Sequence, residues 1–243
     1  MIYSHIVPYC SIPSNKQNTK ELRRFPWRWM VSPSRPFKRS WRSKSNCVGY
    51  ALDNGAWSYF KKGIAFKERP FLQDVDEFGS GADFVVIPDV VGNKDKTLRL
   101  ADQWIPRLKG LSLCFVAQDG MDLKDLSQYT KEGIGIFIGG STEYKLSMIG
   151  PISRLCNAAG VISHVGRVNS KRRLYKCIKN AAFSFDGSGP AIFKETARIL
   201  TDELILLQQD LFPRGYNFTK LQEKYLHDHA NTRKEILQKH AKE

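Results

Sequence analysis

Short apolar runs of strand type alternate with stretches of helical spacing along most of this chain, which limits the fold more than any other feature. The runs fall at 48–52, 83–87, 112–117, 134–138, 160–165 and 182–185, and the last five start about 22–29 residues apart, the length of a compact βα unit. Between them, Leu98, Ala101, Ile105 and Leu108 share one face of 94–109, and 122–132, 142–158 and 170–180 behave alike. Strands so short and apolar are covered on both faces, which implies a parallel sheet. Further strand candidates at 2–7 and 28–31 bring the number to eight, so a compact (β/α)8, TIM-like barrel is expected. A doubly wound open sheet also accounts for the alternation. It would place its ligand at one switch point, whereas here polar motifs follow nearly every strand.

The 243 residues suit a single domain of this kind, and 42% hydrophobic content supplies its core. Residues 1–45 read as a basic aromatic arm, extended and loop-like over 11–45 except at Trp29-Met30-Val31. Residues 46–189 carry the barrel motifs, and 190–243 the C-terminal helices, a long amphipathic one over 190–212 and a polar one over 219–242. No run of about 18 apolar residues and no apolar leader is present, so a cytoplasmic protein without membrane contact is expected. The five cysteines (Cys10, Cys47, Cys114, Cys156, Cys177) form no Cys-x-x-Cys pair. His227, His229 and His240 lack a further ligand nearby, so neither a metal nor any other cofactor is expected.

The net charge of +14 is unevenly placed. Ten Lys/Arg in residues 1–45 face Glu21 alone, and 160–180 adds Arg167, Lys171, Arg172, Arg173, Lys176 and Lys179 without an acid. Such clusters attract phosphates through counterion release. Phe25, Trp27, Trp29, Phe37 and Trp41 interleave with the first, as stacking platforms for unpaired bases or as packing beneath a solvated face.

In a barrel the C-terminal ends of the strands build the site. The first polar residues there are Asp53, Asp89, Gln118 with Asp119, Gly139-Gly140, His164 with Arg167, and Asp186. They form no Ser-His-Asp order and no P-loop. A carboxylate such as Asp89 suits the two adjacent donors of a guanine-like base, and Gln118 with a Gly140 N–H suits its carbonyl. Unpaired buried polar atoms cost about 1–3 kcal/mol each, so such a set is selective. Two further carboxylates, Asp53 and Asp186, are the residue types that break and remake a glycosidic bond. Each position also has a plainer reading: Asp-Asn-Gly and Asp-Gly are ordinary turns, Asp89 can cap a helix, His164 can be a core histidine, Trp57 can be core, and Arg167 can pair with a rim acid.

The segment Leu52-Asp53-Asn54-Gly55-Ala56-Trp57 resembles the Asp-Ser-Gly-Gly-aromatic motif of tRNA-guanine transglycosylases. The resemblance continues in order through Ile87-Pro88-Asp89, Val116-Ala117-Gln118-Asp119-Gly120, Ile138-Gly139-Gly140 and Phe185-Asp186. His164-Val165-Gly166-Arg167-Val168-Asn169-Ser170 and Ser184-Phe185-Asp186-Gly187-Ser188-Gly189 are similar to the phage and bacterial branch that exchanges guanine in DNA for a 7-deazaguanine. The Cys-x-Cys-x-x-Cys…His zinc subdomain of the tRNA enzymes is missing from the sequence, and the chain is much shorter than theirs. The resemblance implies Asp186 as nucleophile at C1′ and Asp53 as general acid/base. It implies Asp89, Gln118, Gly139 and Gly140 around the base, with Trp57 stacked on it and His164 nearby. Arg167, Asn169, Ser170, Lys171, Arg172 and Arg173 would hold the DNA strand. The implied partners are guanine-containing DNA and a free 7-deazaguanine base. The rivals are the same chemistry on tRNA, a hydrolytic DNA glycosylase, and a non-catalytic nucleic-acid-binding barrel.

Overall fold

A computed structural model describes residues 6–33, 48–209 and 218–240. Eight strands close into one barrel in chain order: β1 (Val7–Cys10), β2 (Arg28–Val31), β3 (Tyr50–Leu52), β4 (Val85–Val86), β5 (Leu113–Ala117), β6 (Gly135–Ile138), β7 (Ser163–Val165) and β8 (Ser184–Gly187). Every neighbouring pair is parallel, and β1 pairs with β8 from Val7↔Ser184 to Cys10↔Gly187 to complete the ring. The helices are α1 (Lys16–Leu22), α2 (Ala56–Lys61), α3 (Glu68–Phe78), α4 (Lys94–Arg107), α5 (Leu123–Lys131), α6 (Thr142–Ala159), α7 (Lys171–Lys179), α8 (Gly189–Ile192), α9 (Lys194–Gln209) and α10 (Phe218–His240). The expected (β/α)8 barrel with C-terminal helices is the fold.

The strand period of two sorts the side chains into two cores. Val7, Tyr9, Met30, Ala51, Phe84, Val86, Cys114 and Val116 fill the barrel interior, joined by Phe183 from just before β8. Their neighbours Val31, Leu52, Val85, Leu113, Phe115 and Phe185 face outward against the helices. Carrying the inward parity one step past the C-terminal ends of β2, β3, β5, β6 and β7 reaches Ser32, Asp53, Gln118, Gly139 and Gly166, and on β8 it falls on Asp186. The same alternation that packs the core therefore aims these residues at one mouth. At the other end α10 lies across the barrel: Leu226 joins the interior cluster, and the Glu223 charge acts on Asp83, which precedes β4.

Three sequence expectations are corrected. The strand expected at 28–31 is β2, but residues 16–22 of the proposed arm, read as extended loop, form α1. The Asn15 side chain caps α1 by accepting from the Asn18 N–H at 2.7 Å, and Phe25, Trp27 and Trp29 are core residues rather than platforms. Trp27 donates to Thr201 Oγ1 on α9 at 3.0 Å and meets Phe185 edge-on at 5.7 Å, so its indole packs α9 against the barrel. Phe37 and Trp41 lie outside the described residues. The helix expected over 190–212 breaks at Phe193, whose extended backbone (φ −111, ψ 119) ends α8 before α9 begins. The first strand runs Val7–Cys10 rather than 2–7, and 2–5 lie outside the described residues.

Candidate active site

Asp53 leaves β3 held by its own N–H, which donates to Val31 O on β2 at 2.6 Å. Asn54, buried beside it, ties this exit to the next: its Nδ2 donates to Ile87 O at 2.8 Å and to Asp89 Oδ1 at 2.7 Å, while its Oδ1 accepts from Ala56 N–H at 2.8 Å. An Asn-Gly turn thus starts α2 and braces two neighbouring acids in one set of bonds. Burial pushes the Asp53 carboxyl up to about 7, and the like charges of Asp186 and Asp89 push the same way against hydrogen bonds from Ser32 and the Gly55 backbone. Asp186 stands at the end of β8, so the carboxylates of two separate arcs of the ring share one electrostatic environment.

Asp89 is buried at 8% exposure, with Gln118 Nε2 donating to its Oδ2 at 2.6 Å and Asn54 to its Oδ1. Burial moves it up to about 6, and the amide donors resist that rise. Gln118 is anchored in turn, its Oε1 accepting from Gly92 N–H at 3.1 Å. Its amide is therefore committed first to orienting Asp89. Gly139 spends its N–H on Ala117 O at 3.0 Å, within the barrel ladder. Gly140 has φ +71, and a Cβ there would lie 2.6 Å from Asp119 Oδ2 and 2.9 Å from Tyr144. Glycine is required at that position on both counts. Asp119 is taken up by the chain: it accepts from Ser141 N–H at 2.7 Å, at the start of α6. Burial acts to raise its carboxyl, but Ser141 and the Arg167 charge outweigh that and hold it below the usual range.

Asp186 is 18% exposed at its side chain and meets His164 Nε2 through Oδ1 at 3.2 Å. Two cations act on it. Lys145, buried at 4% exposure, donates from Nζ to Gly166 O at 3.0 Å; burial brings its ammonium down to about 8, the Arg167 charge adds to this, and Asp186 opposes it. Arg167 has φ +61, donates from Nη2 to Gly140 O, and places Cζ 4.3 Å from the centroid of the Trp57 ring. Since β7 and β3 are diametrically opposed in the ring, this guanidinium bridges the mouth. Trp57, 41% exposed, also stacks on Phe60 at 5.7 Å.

The residues expected along a DNA strand divide into two groups. Asn169 Oδ1 accepts from Gly189 N–H at 2.7 Å, and the Ser170 side chain caps α7. Arg173 donates to Arg167 O at 3.0 Å, and Lys171 pairs with Glu203 at 2.5 Å. These four engage the chain itself, whereas Arg172, Lys176 and Lys179 stand exposed on α7. Among the described residues no group of three His, Cys, Asp or Glu side chains is arranged to hold a metal, and no helix is long and apolar enough to cross a membrane.

Lys145 and Ser32 belong to the site and carried no motif, and Ser184 stood only as the first residue of the 184–189 segment, with no role of its own. Lys145 had a readable signal, because it shares the buried stripe of α6 with Ile149, Ile152 and Cys156. A lysine on an apolar stripe needs a reason. Ser32 and Ser184 follow only from strand parity.

The two raised carboxyls have a measurable consequence for stability. A group whose folded value lies above its unfolded one contributes stability below the unfolded value and loses it as pH rises through the folded one. Asp53 and Asp89 should therefore cost stability between about pH 4 and about 7. Thermal melts of Asp53→Asn should exceed wild type at pH 8, by an amount on the order of 1–4 kcal/mol, and coincide with it near pH 4.

No protein-family model matches the chain, and no curated protein matches it.

Proposed function

We propose that the protein is a base-exchange enzyme on DNA, replacing guanine with a 7-deazaguanine through a glycosyl-Asp186 intermediate. The observation that carries this reading is the asymmetry between two converging carboxylates. Asp53 is pushed up to about 7 by burial and by the charges of Asp186 and Asp89, so near neutral pH it is able to give and take a proton. Asp186 lies against His164 Nε2 with the charges of Lys145 and Arg167 close by, and it is the residue type that forms a covalent glycosyl ester.

In the first displacement an Asp186 oxygen attacks C1′, the C1′–N9 bond breaks, and its electron pair leaves with guanine, which takes the Asp53 proton. In the second, 7-deazaguanine gives its N9 proton to Asp53 and attacks C1′ from the original face, and Asp186 departs as carboxylate. Two inversions give net retention. Asp89, oriented by Asn54 and Gln118, accepts from the ring N1–H and the exocyclic amine of either base. The Gly140 N–H and the remaining Gln118 N–H face the carbonyl in this reading. Reaching an internal base requires unpaired DNA or flipping, and exposed Arg172, Lys176 and Lys179 supply charge for the backbone. The choice of DNA over tRNA rests on the resemblance at 164–170 and 184–189.

Exchange of labelled guanine into DNA and into tRNA, run side by side, tests the reading. Uptake into DNA alone is expected, and uptake into tRNA alone overturns the substrate assignment. The pH dependence should be bell-shaped. The first displacement falls above about 7 as Asp53 ionises, and base affinity falls below about 6 as Asp89 gains a proton and loses an acceptor. A profile flat from pH 5 to 9 would contradict both roles.

A further inference from the structure

The ring of His164 sits wholly inside the barrel at 0% exposure, among Tyr9, Phe84 and Phe137, with centroids at 5.6, 5.1 and 4.7 Å. Both its nitrogens are engaged: Nδ1 meets Ser184 Oγ at 2.8 Å, and Nε2 meets Asp186 Oδ1 at 3.2 Å. His164 and Ser184 are register partners on β7 and β8, and Asp186 lies two residues further along the same face of β8. Ser184 is likewise 0% exposed. Burying two polar side chains in an apolar interior costs free energy unless each finds its partner. A leucine or phenylalanine would fill the same space without that cost. The polar pair is therefore explained by what it meets, and its outermost contact is the candidate nucleophile.

We infer that His164 is a positioning residue for Asp186, held as the Nε2–H tautomer by the hydroxyl of Ser184. An ionised carboxylate only accepts, so the proton on this bond belongs to Nε2, which leaves Nδ1 to accept from the Ser184 O–H. The bond fixes Oδ1 and presents Oδ2 to C1′. When Asp186 is later expelled from the glycosyl ester, the returning negative charge again finds a donor on Oδ1. No proton is transferred at His164 in either displacement. This role replaces the direct base contact expected of His164 from the sequence, because a residue with no exposed surface beneath the mouth reaches substrate only through Asp186. It rests on the base-exchange reading for its chemistry but not for its geometry.

The test has two arms. Nitrogen NMR of selectively labelled histidine in the full chain should show His164 protonated at Nε2 and protected from exchange, with the signal displaced in Asp186→Asn. The second arm measures single-turnover formation of the covalent adduct on a guanine-containing oligonucleotide, alongside binding of free guanine. His164→Phe should slow the adduct roughly 10- to 100-fold with guanine affinity changed less than about threefold. His164→Gln, which keeps a donor near the Nε2 position, should recover most of the rate, and Ser184→Ala should fall between the two. Protonation at Nδ1 in the wild type, or a wild-type rate in His164→Phe, overturns the inference. Should His164→Phe fail to fold, a Gln variant no faster than Ser184→Ala overturns it equally. Absence of any adduct with the wild-type protein, alongside an Nε2 proton, instead overturns the base-exchange reading and leaves the contact standing.

Discussion

Asp186→Asn is expected to fold normally and to lose base exchange by about 10⁴-fold or more, with no denaturant-stable adduct on guanine-containing DNA. The amide matches the carboxylate in shape, and its oxygen still accepts from His164, so the packing inside β8 is kept. What is removed is the negative charge and the nucleophilic electron pair. Asp53→Asn should differ in kind. It removes a proton shuttle rather than a nucleophile, so about 10²–10⁴-fold is the expected loss, and the fall in rate above about pH 7 should vanish with it. If Asp186→Asn still forms the adduct, the nucleophile is misassigned. If both variants lose the same amount with the same pH profile, the division of roles is wrong.

The largest effect on stability should come from the opposite end of the barrel. Arg28 donates from Nε and Nη2 to the two oxygens of Asp83, both at 2.6 Å, and Tyr9 O–H donates to the same carboxylate at 2.9 Å. The side chains of Arg28 and Asp83 are 5% and 10% exposed. At Gly49 a Cβ would land on the Arg28 guanidinium, so the chain gives up a side chain there to admit it. Asp83→Ala would leave a guanidinium in the barrel floor without its carboxylate and a tyrosine hydroxyl without its acceptor. Breaking a buried pair from one side costs about 3–5 kcal/mol, a fall in Tm of roughly 6–20 °C for a chain this long. The Asp83→Leu, Arg28→Met double variant should regain most of that, because the buried charge leaves together with the carboxylate it was built around. Guanine binding at the mouth should be unchanged in whatever fraction remains folded. A melting curve for Asp83→Ala that matches wild type would show that the ion pair contributes nothing net.

The barrel was legible because its strands are short, apolar and regularly spaced, and because the turn chemistry after β3 and β8 sits where parity aims side chains at the mouth. Three helices, α1, α2 and α3, were not singled out. In α3, Phe71, Val75 and Phe78 do have helical spacing, but Pro70 and a run of acids obscure it. The loop reading of the N-terminal segment missed α1 because Ser, Pro and Lys dominate its composition, while its packing depends on residues such as Trp27, whose partners Phe185 on β8 and Thr201 on α9 lie more than 150 residues away. Charge clusters read as ligand-binding surface were in part internal: Arg24 pairs with Asp202, Arg28 with Asp83, and Lys171 with Glu203. Local sequence shows that a cation is present but not which acid the fold brings to it. At the site, the motifs gave the carboxylates, but the groups that differentiate them came from elsewhere. Lys145 arrives from the buried stripe of α6, where only its place among apolar residues marks it, and Ser184 from a strand interior, where only strand parity gives it a role.

The most direct measurement is mass spectrometry of the nucleosides from DNA incubated with the protein and free 7-deazaguanine bases. Base exchange predicts a 7-deazaguanine deoxynucleoside appearing in step with released guanine, with the strand free of abasic sites. Guanine released without replacement, leaving abasic sites, or DNA bound and recovered unaltered, would contradict it.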